Sequence, residues 1–151
     1  MSALGIGSDK LSTPGFVAGL QCQKLVPVLC ESCKVFHSVK AIAGREFTLY
    51  QAAATGCEKC KHSGIKGRQL AMEYFLPTYD ELAAISRQEW LNVYSLWREK
   101  RKSVTGLAEG FEIREKVMAH VLRGRIDARW YAMEFGVVSD EDMEILVDKI
   151  Q

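Results

Sequence analysis

The stretch that decides the reading of this chain is Cys30-Glu31-Ser32-Cys33, followed after residues 34–56 by Cys57-Glu58-Lys59-Cys60. Each Cys-x-x-Cys bites a single ion from one tight turn, and two such pairs supply the four thiolates of a closed tetrahedron. Four protein sulfurs leave no coordination position for water or substrate, so the pattern predicts a structural Zn²⁺ site made by Cys30, Cys33, Cys57 and Cys60. Iron fits the same ligands, but its centres favour a shielding apolar shell that the lysine-rich loops here do not provide. Four of the five cysteines are thus used in pairs, which is not the pattern of a secreted disulfide framework.

Around the second pair stand Gly56, Gly64 and Gly67, residues able to take positive φ and so to turn backbone amides towards sulfur. Lys34, Lys59, Lys61, Lys66 and Arg68 lie within a few residues of the ligands. They suit compensation of the −2 charge of Zn²⁺ with four thiolates. A nucleic-acid patch would also want aromatic residues between the cations, and residues 57–68 have none. His37 and His62 are alternative ligand types, but four cysteines already complete the set. Cys22 is expected to be a small buried hydrophobe and His120 to be a packed helix residue. Asp140-Glu141-Asp142 reads as the negative first turn of a helix.

Outward from the metal-binding stretch, the chain predicts an α+β protein. A short helix is expected within residues 11–23, with Ser12 or Thr13 as cap and Pro14 near its start, followed by an edge strand over Lys24–Leu29 that contains Pro27. Residues 34–45 read as a polar loop, Glu46–Tyr50 as β-prone, and Gln69–Leu76 as a strand that Pro77 ends. Beyond Pro77 the pattern is helical. Ser86-Arg87-Gln88-Glu89 has capping-box spacing ahead of a stripe of Trp90, Val93, Tyr94 and Trp97, which suits core or interface packing. Further helices are expected over residues 107–123, 127–135 and 140–150, the last capped by Ser139. The division expected is residues 1–29 as the end of a preceding domain, 30–76 as a small zinc-centred mixed α/β lobe, and 77–151 as a C-terminal helical subdomain.

The bulk composition agrees with a globular protein. Of 151 residues, 48% are hydrophobic and 26% charged, and twenty Lys and Arg against nineteen Asp and Glu leave a formal charge of +1. Such a balance gives no global field to draw the chain onto nucleic acid or an anionic membrane. No apolar run approaches the roughly 20 residues that span a bilayer. The opening Met-Ser-Ala-Leu-Gly-Ile-Gly lacks the blocks of a secretory signal, and a cytoplasmic location is expected. Phosphate-loop, zinc-protease and nucleophile-elbow motifs are absent, so no catalytic or nucleotide-binding residues are expected in this chain.

Read in order, these residues resemble the C-terminal part of the assembly ATPases of type IV pili and type II secretion systems. Gln23-Lys24-Leu25-Val26-Pro27-Val28-Leu29-Cys30 is similar to the segment that leads into that family's first cysteine, and Gly15-Phe16 fits its plasmid-borne pilus branch. Gly56-Cys57-Glu58-Lys59-Cys60, then Gly64, Gly67-Arg68 and Glu73, resemble its second pair and the Gly-Arg-x-x-x-x-Glu continuation. Lys24, Glu31, Ile65 and Leu70 depart from the family pattern without touching a ligand. From Pro77 onward the likeness is general. The resemblance implies a fragment or truncated gene whose residues 1–29 are the remnant of the end of a nucleotide-binding domain, and whose full-length relative is a hexameric ATPase, cytoplasmic and peripheral to the inner membrane, with the phosphate loop upstream. It implies as partners neighbouring ATPase subunits and an inner-membrane platform protein, without nucleic acid or membrane insertion. The alternatives on the residues alone are a stand-alone zinc ribbon that binds nucleic acid or a protein, and a thiol–disulfide protein using Cys-x-x-Cys.

Overall fold

The structure, a computed structural model, describes residues 5–150; Met1–Leu4, part of the opening stretch that lacks the blocks of a secretory signal, and Gln151, the end of the expected helical subdomain, lie outside it. Its elements in chain order are helix α1 (Ser8–Leu11), strands β1 (Leu20–Leu29), β2 (Val35–Ile42) and β3 (Arg45–Gln51), a 3-10 turn (Glu58–Cys60), strand β4 (Ile65–Phe75), and helices α2 (Tyr79–Ser86), α3 (Trp90–Ser103), α4 (Ile113–Leu122), α5 (Ala128–Phe135) and α6 (Asp140–Lys149). β1 pairs with β4 in one two-stranded sheet and β2 with β3 in another, so the fold is α+β. No helix among the described residues is long and apolar enough to cross a membrane.

The chain divides into two compact units, one of Met1–Cys22 with Glu73–Phe111 and one of Gln23–Met72 with Glu112–Gln151. In the first, Ala84, Ile85, Trp97 and Phe111 are buried, and the Trp97 indole N–H donates to the Tyr74 carbonyl at 2.8 Å. Only Trp97 of the aromatic stripe is core; Trp90 and Tyr94 stand about half exposed. The capping box lies earlier than the sequence suggests. Thr78 and Glu81 reciprocate at the start of α2, whereas Ser86 is the last residue of that helix and α3 follows without a side-chain cap. Thr78-x-x-Glu81 has the same spacing as Ser86-x-x-Glu89, and its Glu81 is buried beside Lys100.

The second unit holds the cysteine pairs. Val26 and Leu29 of β1, Ile42 and Leu49 of the β2–β3 hairpin, and Val117, Val121, Leu122, Ile126, Met143 and Leu146 of the helical segment are all buried. α4 begins at its own box, Glu112 with Glu115, and therefore starts later than the expected residue 107. α5 and α6 form as expected, capped by Asp127 and Ser139. Asp127 also accepts the Ala52 amide at 2.9 Å, which joins the segment after β3 to the start of α5. Burial opposes ionisation of that carboxyl, yet the amides of Ala52, Arg129 and Trp130 and the Arg129 side chain outweigh it and hold the pKa below the ordinary value.

Two local expectations are corrected. Residues 34–45 are not an irregular loop: Val35, Val39 and Ile42 carry a strand that returns through Ala43-Gly44, both at positive φ as a type I′ hairpin requires, into β3. Residues 11–23 are not a helix. α1 ends at Leu11, the hydroxyls of Ser12 and Thr13 donate back to the Asp9 carbonyl, and Pro14, Gly15 and Gly19 interrupt any continuation before β1 begins. Cys22 consequently lies on a strand and is exposed rather than buried.

Candidate metal centre

The first cysteine turn begins where β1 ends. The Leu29 amide donates to the Arg125 carbonyl at 2.8 Å and the Cys30 amide to the Gly64 carbonyl at 3.0 Å, so the first ligand leaves the strand already anchored. The chain then doubles back, with the amides of Cys33 and Lys34 both donating to the Cys30 carbonyl at 3.3 and 3.0 Å. The second turn is built the same way on Cys57, whose carbonyl accepts from Cys60 at 3.2 Å and from His62 at 2.8 Å. Lys61 and His62 adopt left-handed φ of 54° and 61°, and this swings the Gly64 amide back to the Cys60 sulfur at 3.2 Å. Gly56 has to be glycine here, because a Cβ would come within 2.5 Å of the His62 carbonyl carbon.

The outcome is a cluster in which the four sulfurs of Cys30, Cys33, Cys57 and Cys60 lie within 4.8 Å of one another. Cys30 to Cys57 and Cys33 to Cys60 are each 3.8 Å, and Cys57 to Cys60 is 3.9 Å. For bonds of about 2.3 Å, the edge of a regular sulfur tetrahedron is about 3.8 Å, so the spacing fits a tetrahedral thiolate site. It is far from the roughly 2 Å of a disulfide, and all five cysteines are free. The donor set suits zinc or ferrous iron.

The thiols do not titrate alike. The Cys57 amide, at 3.3 Å, and the Gly64 amide point at the Cys60 sulfur and bring its pKa down to about 6 against the effect of burial. Cys33 is pushed up to about 12, first by desolvation and then by its thiol neighbours Cys30, Cys57 and Cys60. A sulfur poised as thiolate is the first handhold for a divalent ion.

The remaining candidates fall outside this cluster. His37 occupies the irregular step in the β2–β3 register, its Nδ1 2.9 Å from the Gln51 side-chain oxygen. His62 lies 3.2 Å from the Thr55 carbonyl, and His120 sits in the last turn of α4. Lys59, Lys61, Lys66 and Arg68 are exposed. The Lys34 ammonium reaches the Glu31 carboxylate, the Gly124 carbonyl and the Tyr50 ring. That bracing is not visible in the motif, since Tyr50 and Gly124 are remote in sequence and carry no periodic signal.

Fold and site together define a small α+β protein with a tetracysteine centre built between two strand-linked turns. Residues 1–123 match the family model described as type II/IV secretion system protein, and the chain belongs to that family. It is also 34% identical over 88 residues to a protein of Escherichia coli strain K12 provisionally named type II secretion system protein E, a match that covers 54% of this chain. The chain spans only 17% of that relative's length.

Proposed function

We propose that this chain is the metal-bearing C-terminal module of a hexameric ATPase that powers type IV pilus or type II secretion assembly, with one structural Zn²⁺ held by Cys30, Cys33, Cys57 and Cys60. The observation that carries the proposal is the spacing of 3.8 to 3.9 Å between thiols inside a chain of the secretion family. When bound, the ion neutralises thiolate charge and cross-links two turns far apart in sequence. The residues around it do the rest. Gly64 and Cys57 orient the Cys60 sulfur, and the Cys30 backbone fixes the first turn against the second.

In this role the module presents a rigid surface to neighbouring subunits and to an inner-membrane platform protein, and takes no part in nucleotide hydrolysis. It works in the cytoplasm, peripheral to the inner membrane. Two measurements test the proposal. Elemental analysis of the purified chain should give one zinc per molecule; iron would refute zinc as the ion, and no metal would refute the ligand assignment. Deleting residues 30–76 from the full-length protein should impair assembly more than nucleotide binding, and unimpaired assembly would refute the role.

A further inference from the structure

Each cysteine pair contributes one inner sulfur and one outer sulfur. Cys30 and Cys60 are 1% and 6% exposed, while Cys33 and Cys57 are half-buried. Cys60 Sγ accepts two amide hydrogen bonds, from Cys57 and Gly64, and the Cys30 backbone is held at both its amide and its carbonyl. The Cys57 sulfur accepts the Cys60 amide in the reciprocal cap of the 3-10 turn, one donor against the two on Cys60.

Exposure separates the two inner sulfurs from the two outer ones, and the two amide donors set Cys60 apart from the rest. Amide donors drain charge from a thiolate and occupy its lone pairs, so a sulfur with two of them is a poorer nucleophile than one with none. Exposure brings a reagent to the outer sulfurs first. We propose that Cys33 and Cys57 form a reactive edge at which soft electrophiles attack the centre and release its metal, while Cys30 and Cys60 form the retained edge. The inference rests on the metal assignment above. With a maleimide, the outer sulfur forms a bond to one alkene carbon as the π pair moves to the other, which takes a proton from water and leaves hydroxide to the buffer. The sulfur, now a thioether, has lost the negative charge that held the ion.

The test uses the full chain carrying Cys22→Ser, which removes the exposed fifth thiol, loaded with zinc and verified at one ion per molecule. It is treated with one equivalent of N-ethylmaleimide, digested and mapped by mass spectrometry, with zinc release followed by a chromogenic chelator. Adducts at Cys33 and Cys57 should exceed those at Cys30 and Cys60 about tenfold, and released zinc should track them. Even labelling of all four, or labelling led by Cys30 or Cys60, in protein that holds zinc would overturn this inference alone. Failure to hold zinc would overturn the metal assignment and this inference with it.

Discussion

The ammonium of Lys34 donates to the carbonyl oxygen of Gly124 at 2.9 Å, which ties the residue after the first cysteine pair to the turn that ends α4. The same ammonium lies 4.5 Å from the centroid of the Tyr50 ring, and Gly124 is packed so closely on that ring that a Cβ would come within 2.9 Å of it. Metal turn, hairpin and helix end are thereby fastened at one point of the second unit.

That fastening predicts the effect of two substitutions. Gly124→Ala meets both the Tyr50 ring and a φ of +73°, and should destabilise the protein by about 1–3 kcal/mol. Lys34→Met removes the bond to the Gly124 carbonyl while keeping the apolar stem, and should cost about 1–2 kcal/mol. Urea denaturation curves of both variants check this; wild-type midpoints would show that the contact contributes nothing.

Loss of the metal should act on the same unit. A structural zinc site supplies folding free energy on the order of 10 kcal/mol, so Cys60→Ser or a strong chelator should remove most protection of the Gly64 and Cys57 amides in hydrogen exchange. Protection unchanged after chelation would show that the turns stand without an ion.

The first unit has its own weak point. Lys100 lies 2.5 Å from the fully buried Glu81 and 2.8 Å from Glu109, and it also donates to the Leu76 carbonyl. Lys100→Met leaves the Glu81 carboxylate buried without its cation and should cost about 3–5 kcal/mol. Thr78→Ala, which only removes the cap of α2, should cost about 1 kcal/mol. Thermal unfolding should rank the two in that order, and equal losses would count against the buried pair.

His120 sets a pH dependence. Burial first, and then the charges of Arg125 and Arg123, hold its imidazole below the ordinary 6.5. The unfolded chain therefore takes up a proton near that value while the folded chain does not, so stability should fall as the pH drops from 6.5 towards the lower folded pKa. His120→Gln should flatten this limb of the curve. A difference between the two proteins that stays constant across that window would remove His120 as its source.

Much of the local structure is legible in residue order. The hydrophobic run before Cys30, the β-prone Glu46–Tyr50, and the Asp127 and Ser139 caps of α5 and α6 each carry a short-range signal that the fold obeys. Where neighbouring signals compete, the order of residues is ambiguous. Ser86 and Thr78 both stand three residues before a glutamate, yet only Thr78 heads a capping box in the fold, with Glu81 buried beside Lys100. Residues 35–42 include the apolar Val35, Phe36, Val39, Ala41 and Ile42 among polar neighbours, and pairing with β3 makes them a strand.

What residue order determined by itself is the chemistry of the centre: two Cys-x-x-Cys turns, the glycines that let them close, and an α+β setting. What only folding decided is which distant groups meet there. Residues 23–72 and 112–151 share one unit although 73–111 separate them in the chain. Long-range hydrogen bonds, from Leu29 to Arg125 and from Lys34 to Gly124, carry no periodicity that a linear reading detects, for they arise when buried polar groups find partners during packing.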